Sequence, residues 1–522
     1  MEFDEKKEIK EEEIINKRTQ KIKDKFPWLK DPYNLAFVIL LVLFFIIRIY
    51  YFSMTYNQPL WWDEADYMDM ARTWLGKVPW DYSPVRPILF PSLISLFMLI
   101  GLGEFSIKFF ILLSSIVSIL LLYKLGDLFF NKRVAIISAS ILAFFWSFNF
   151  YSYRVLVDVP IAMLWLATIY FFFDAYFNNR NWKQFAIAGI FLGLAFLLKY
   201  SSFTLVVMLG FYLITTEKFR VLTNKKIITF FLVSLITILP LFIFQYVVFG
   251  HPLQFLATVQ ETGSQLRSTF QSLIDQSKFM FELIFPALFA FFIFGLITTL
   301  FYIFLSWDIT LKKKTLTNNY YFILIWLLFS IGFFAKINYG AYMDERYYFV
   351  FYPAIFLICG VGFDKAYLVI KKYNKILAII IISVVLLFAF YQHSIQANNT
   401  IKLKKDSFLQ LKLAGEYIKE NTKPGEKVFV LEEQAEIVYY SERPYIHIGH
   451  SDGEAIMKLI KEHNPPYVVM SLYYSLGQNQ TPVSYILSNQ DIFQPVQAYG
   501  PYIDEKQTLP IATIFRVNSS YY

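Results

Sequence analysis

Apolar runs of about 15–24 residues recur along the chain, and a bilayer core roughly 30 Å thick asks for helices of this length. A helix closes its own backbone hydrogen bonds, so it can cross where no water is available. The pattern predicts spans at Leu35–Ser53, Ser106–Tyr123, Val134–Phe150, Val159–Phe177, Phe185–Leu198, Phe203–Thr215, Ile227–Phe249, Leu283–Ser306, Tyr320–Phe334, Tyr348–Gly362 and Ile376–Tyr391. Arg86–Leu102 is apolar enough to cross too. However, Pro84, Pro87 and Pro91 crowd its start and Gly101 and Gly103 end it, so it reads as a surface helix. Phe185–Thr215 reads as a hairpin, because Lys199-Tyr200-Ser201-Ser202 sits at its centre, where a lipid-facing ammonium is costly.

Loop charge supports both choices. They give one side the basic N-terminal tail, Lys124/Lys132/Arg133, Arg180/Lys183, Lys218/Arg220/Lys225/Lys226, Lys312/Lys313/Lys314 and Lys365/Lys371/Lys372/Lys375. The longer loops of the other side receive only Lys77, Arg86, Arg154, Lys199, Arg267, Lys278, Lys336 and Arg346. Cytoplasmic loops are the basic ones, so the chain is expected to have eleven spans, with its N-terminus cytoplasmic and its C-terminus exterior. Changing either choice alone scatters the basic loops over both faces.

Three regions follow: a charged cytoplasmic tail over 1–33, a membrane unit over 34–391 with an exterior loop and surface helices over 54–105, and an exterior unit over 392–522. The last carries the strand patterns Val428-Phe429-Val430-Leu431 and Tyr467-Val468-Val469-Met470 and the helical patterns Phe408–Asn421 and Gly453–Glu462, as expected of a small α/β domain. Glycosylation sequons at Asn398, Asn479 and Asn518 all fall there. The N-terminal tail is charged and precedes the first apolar run, so it is not a cleavable signal.

Composition narrows the class. Hydrophobic residues make up 57% and charged residues 17%, which is not the balance of a soluble enzyme. The net charge of +8 is accounted for by the basic loops, and no basic patch interleaved with aromatics points to nucleic acid. The single cysteine, Cys359, excludes an intrachain disulfide. His447 and His450 have i, i+3 spacing but no evident third ligand, and no glycine-rich loop follows a strand to cradle a nucleotide. The long polar stretch from His251 to Glu282 is a candidate gating or substrate loop.

The chemically suggestive residues gather on the exterior side. Asp63 and Glu64 follow the first span within Trp61-Trp62-Asp63-Glu64-Ala65-Asp66-Tyr67, where carboxylates suit general-base work or metal binding. They suit equally a helix start, with Asp63 as N-cap and Glu64 favouring the dipole. Asp158 lies in Arg154-Val155-Leu156-Val157-Asp158-Val159-Pro160, again either a functional carboxylate or a cap. Lys199 could snorkel or meet an anion, and Arg346 could clamp a phosphate bidentately or pair with Asp344 or Glu345.

The ordered set of these stretches resembles the GT-C membrane glycosyltransferases of the dolichyl-phosphate-mannose protein mannosyltransferase and aminoarabinose transferase type. The matching residues are Asp63-Glu64 with Tyr67, Ser83-Pro84-Val85-Arg86-Pro87-Ile88-Leu89, Arg154…Asp158-Val159-Pro160, Gly193-Leu194-Ala195…Lys199, and Glu345-Arg346-Tyr347…Pro353, spread over most of 35–370. The resemblance implies a mainly α, polytopic GT-C fold and an exterior site. It also implies a polyprenyl-phosphate sugar donor and inverting transfer to a protein, lipid or glycan acceptor. On this likeness Asp63 is the base, Glu64 its neighbour and Asp158 a further catalytic carboxylate. Lys199, Arg346 and Arg154 contact the donor phosphate. Tyr67, Arg86, Glu345 and Tyr347 line the acceptor and sugar positions, and no residue is assigned to a metal, although a divalent Mg or Mn ion could assist. Two departures stand out: Arg86 replaces the usual proline of the surface helix, and the exterior unit is α/β instead of a β-trefoil. A transporter or flippase is the main rival, which mid-membrane ionisable residues and related halves would favour. A non-catalytic subunit of a glycan assembly complex is the other.

Overall fold

The computed structural model describes residues 27–76, 86–262, 269–306, 315–337, 344–431, 435–471, 481–500 and 511–521. Lys77, Ser83-Pro84-Val85, Arg267, Asn479 and most of the charged tail lie outside the described residues, as does the Lys336 side chain.

Each of the eleven expected spans coincides with helix. They are α1 (Pro32–Thr55), α4 (Glu104–Phe129), α5 (Lys132–Phe144) with α6 (Trp146–Tyr151), α7 (Asp158–Phe177), α8 (Trp182–Leu198), α9 (Phe203–Glu217), α10 (Lys225–Phe249), α12 (Thr269–Leu305), α13 (Leu316–Ile337), α14 (Tyr352–Lys371) and α15 (Lys375–Lys404). Among the described residues, seven helices are long and apolar enough to cross a membrane, and the chain is an integral membrane protein. The span expected over Val134–Phe150 is broken at Phe145, which is extended and joins α5 to α6.

Two surface elements precede α4: α2 (Trp62–Trp74) and α3 (Leu89–Leu99). Eleven residues rise only about 16 Å, too little to cross, and α3 instead lies on α2, where Ser95 Oγ donates to the Ala71 carbonyl. The hairpin reading also holds. Tyr176 donates to Glu217 and Lys226 donates to Asn179 at one end of the bundle, while Lys199 meets Asp158 at the other. The chain therefore turns at Lys199, whose extended backbone leads into a 3-10 turn, and α9 runs back. Arg133–Asp364 and Lys132–Asp127 also lie at the Tyr176 end, so these described basic loops collect there, while Lys312, Lys313 and Lys314 lie outside the described residues.

Glycines set the closest approaches. A Cβ on Gly189 or Gly193 would press on Phe230 and Thr237 of α10, and one on Gly295 or Gly362 would meet backbone between α12 and α14. Lipid offers no hydrophobic force between helices, so close backbone contact of this kind carries the packing. Ionisable side chains also lie buried inside expected spans, and Lys108 of α4 donates to the Tyr56 and Gln58 carbonyls. Arg48, buried in α1, donates to Ser115, Asn149 and the Ala143 carbonyl, and so ties together α1, α4 and the α5–α6 break.

Two boundaries differ from expectation. Helix α15 continues beyond Tyr391 to Lys404, so the small domain starts about three turns later than 392. The supposed loop from His251 to Glu282 is largely helical: α11 (Gln254–Thr262) precedes α12, which kinks at Phe285 before Pro286. The small domain holds α16 (Leu409–Asn421), α17 (Ala435–Ser441), α18 (Gly453–His463) and α19 (Thr481–Ser488) around five strands.

These strands are β1 (Val428–Val430), β2 (Tyr445–His447), β3 (Tyr467–Ser471), β4 (Phe493–Tyr499) and β5 (Ala512–Val517), in the order β2-β1-β3-β5-β4. β1 runs parallel to β2 and β3, whereas β5 is antiparallel to both β3 and β4. Val468 and Met470 face a core with Ile456 and Ile486, while Val469 faces Leu411 and Ile437. Cover on both faces explains why β3 reads as an unbroken apolar run.

Candidate active site

Five separate stretches converge at the end of the bundle opposite the basic loops. They are α2, the entry to α3, the start of α7, the α8–α9 turn, and the 3-10 turn Glu345–Val350 before α14.

Helix α2 is set by Glu64, not Asp63. The N-cap is Trp61, and the fully buried Glu64 carboxylate accepts from Trp61 N–H (2.7 Å) and Val155 N–H (2.8 Å). Its third partner is Arg154, at 3.3 Å, itself fully buried beneath the Trp61 ring and donating to the Pro59 and Lys404 carbonyls. Burial lowers the Arg154 pKa, and Glu64 works against that. The fold thus puts Glu64 and Arg154 inside, where they clamp the start of α2 to the loop before α7. Neither faces the cleft, because adjacent residues of a helix point about 100° apart and Asp63 takes the outward direction.

Asp63 lies between two guanidiniums. Arg346 Nη2 donates to its Oδ2 and Arg86 Nη2 donates to its Oδ1, each at 2.7 Å. Burial alone raises the Asp63 carboxyl, but Arg86 and Arg346 outweigh it and hold it down at about 2. The row extends in both directions. Arg86 Nε reaches Asp66 Oδ2 at 2.7 Å, and Arg346 Nε lies 2.8 Å from Asp344 Oδ2. Burial opposes the charge on Arg346, yet Asp158, Asp344 and Asp63 together raise its pKa. Asp344 also caps the 3-10 turn through Arg346 N–H and accepts from the Tyr151 hydroxyl.

Lys199 does not snorkel away. Its Nζ donates to Asp158 Oδ1 at 2.6 Å and lies 4.8 Å from the centre of the Tyr347 ring. Asp158 is the first helical residue of α7, not its N-cap, and its side chain is 3% exposed against 26% for Lys199. Tyr347 is exposed, whereas Tyr67 is buried against Phe90 beneath Arg86. Burial pushes the Tyr67 hydroxyl up to about 12, so it stays protonated. Glu345, half-buried, is raised by burial and by Asp344.

Of the ten residues singled out from sequence, Asp63, Arg86, Asp158, Lys199 and Arg346 meet in this ion-pair system, with Tyr67, Glu345 and Tyr347 at its margins. Glu64 and Arg154 stand behind it. Sequence reasoning missed Asp66, although it follows Asp63 by three residues and so shares its helix face. Among the described residues no group of three or more His, Cys, Asp or Glu is arranged to hold an ion. Instead, Asp63, Asp66, Asp158 and Asp344 are each matched by a cation of the chain.

Fold and site together define a membrane protein of the GT-C fold. Residues 85–244 match the family model described as dolichyl-phosphate-mannose-protein mannosyltransferase. Among solved structures, ArnT from Cupriavidus metallidurans superposes with a TM-score of 0.66 at 15% identity, over 93% of this chain and 99% of that one. The same protein bound to undecaprenyl phosphate gives 0.65, again at 15% identity with the same coverage. The oligosaccharyltransferase AglB from Archaeoglobus fulgidus, in complex with an inhibitory peptide and a dolichol-phosphate, gives 0.60 at 15% identity, over 95% and 77%. No protein of curated function matches the sequence.

Proposed function

We propose that the protein is an inverting glycosyltransferase that moves a sugar from a polyprenyl (dolichyl-type) phosphate to an acceptor hydroxyl on the non-cytoplasmic face. The observation that carries this reading is the alternating row Asp66–Arg86–Asp63–Arg346–Asp344 beside Lys199–Asp158, assembled at one end of a membrane bundle. The charged headgroup of a lipid carrier would meet such a bundle at one of its ends, where its sugar could project away from the membrane. The fold neighbours captured with undecaprenyl phosphate and dolichol-phosphate make the same class of carrier the natural candidate here.

Arg346 and Lys199 bind the donor phosphate in this scheme. Each is now answered by carboxylates and is partly open, 12% and 26% exposed, so a phosphate can compete for it. Both then stabilise the charge that builds on the departing phosphate. Asp63 accepts the acceptor hydroxyl's proton. A carboxylate is a weak base for a hydroxyl, so proton transfer comes late and alignment supplies most of the rate. Asp158 holds Lys199 in place, Tyr347 offers an exposed ring to the sugar or lipid, and Glu345 lies at the acceptor margin. Glu64 and Arg154 act through α2, and Tyr67 acts by supporting Arg86.

A transporter would need its ionisable residues along a path through the bundle. Arg48 and Lys108, buried cations inside spans, have their hydrogen bonds spent on other segments of the chain. The test is binding of undecaprenyl phosphate to the purified protein, followed by native mass spectrometry. Wild type is expected to bind and Arg346→Ala and Lys199→Ala to bind at least about tenfold more weakly. Equal binding by all three would remove the phosphate site.

A further inference from the structure

The two arginines on Asp63 are not equivalent. Arg346 comes from the turn before α14, next to Tyr347, over which Lys199 also lies. Arg86 belongs to the α2 side. Its Nε is bonded to Asp66, 7% exposed and one helical turn beyond Asp63, and its guanidinium lies 4.8 Å from the Tyr67 ring centre and 5.7 Å from that of Trp62. One rigid fork therefore grips two carboxylates of the same helix and rests on aromatic rings of that helix. Arg346 has no such double hold on α2: it holds Asp63 alone, through Oδ2, and Asp344 on its own turn.

A phosphate that takes Arg346 must draw it from Asp63 Oδ2. The exchange leaves one carboxylate oxygen uncovered and the other still held. Resting on the functional reading above, we propose that Arg86 is a positioning residue that keeps Asp63 ionised and aimed while Arg346 is handed to the donor phosphate, so that donor binding itself uncovers Oδ2 as the base. The acceptor oxygen then bonds to the anomeric carbon as the carbon–oxygen bond to phosphate breaks. The bonding pair leaves on the phosphate oxygen, and the hydroxyl proton passes to Oδ2. Arg86 touches neither substrate. Its effect is to let Asp63 give up one cation without being left as an unpaired, partly buried charge, which is a costly state. Without Arg86, Asp63 depends on Arg346 alone, and the phosphate must win it from a carboxylate with no other arginine.

The test is a binding cycle on the full-length protein in nanodiscs, with undecaprenyl phosphate as the probe. Arg86→Gln is expected to weaken binding about tenfold, the size of coupling usual for charges in contact. Arg86→Lys, which keeps the charge but not the fork, falls between Arg86→Gln and wild type. The double variant Asp63→Asn/Arg86→Gln regains wild-type affinity or better, because the carboxylate competing for Arg346 is gone. A merely structural role for Arg86 predicts the reverse, with the double variant no tighter than Arg86→Gln. That result, or an Arg86→Gln protein that binds like wild type, overturns the inference while leaving the functional reading intact. A wild type that does not bind the lipid phosphate is a separate outcome: it overturns the functional reading, and this inference with it.

Discussion

Asp63 and Glu64 are neighbours in sequence and opposites in the fold. Asp63 faces the cleft between two arginines, while Glu64 is sealed inside with Arg154. Their variants should therefore fail differently. Asp63→Asn is expected to lower sugar transfer by roughly 10²–10⁴-fold, as loss of a general base does, and to cost less stability than loss of the fully buried Glu64, because Asp63 is partly exposed. Glu64→Gln strands the buried Arg154 charge and should cost about 3 kcal/mol of stability, read as a lowered melting temperature. The Asp63 carboxyl also fixes a pH window. Its folded pKa, about 2, lies below the ordinary 3.8, so its ion pairs stabilise the fold fully above 3.8 and lose that effect as pH falls through about 2. Between pH 5 and 8, Asp63 should add no pH dependence to stability. The residue types were legible in the sequence; which carboxylate turned inward was not, because that depends on the helix starting at Trp62 with Trp61 as its cap.

Helices were the most legible level, since apolar length and loop charge between them located helix at each of the eleven expected spans, seven of them long and apolar enough to cross a membrane, and the hairpin at Lys199. What escaped was set by contacts between distant segments. Helix α15 runs on past its apolar stretch to Lys404, whose carbonyl accepts from Arg154. Helix α17, seven residues with no clear apolar period, forms against α2: Arg72 donates to the Tyr439 carbonyl, and the Tyr440 hydroxyl accepts from Leu60 N–H. The small domain thus braces the helix that carries Asp63. Packing between spans is tested at Gly295, where a Cβ would fall 1.9 Å from the Ile358 carbonyl oxygen. Gly295→Ala must push α12 and α14 apart, and it is expected to lower the melting temperature by several degrees while the pure helix content seen by circular dichroism stays the same.

On the scale of the whole molecule, hydropathy and loop charge already implied a bundle with its chemistry at one end, and the ordered motifs implied the GT-C fold that the structural neighbours share. The pairing of charges across five stretches was not implied, since no spacing within a single stretch encodes it. That pairing bears on metal dependence. Arg346 and Lys199 already supply positive charge where a phosphate would sit, so transfer is expected to persist at least at half its rate in excess chelator; loss of activity that Mg or Mn restores would instead place an ion in the reaction. The central claim is tested most directly by incubating the purified protein with a polyprenyl-phosphate-linked sugar and candidate acceptors and measuring free lipid phosphate. The account predicts release that depends on acceptor and vanishes in Asp63→Asn; acceptor-dependent release that continues undiminished in that variant would contradict it.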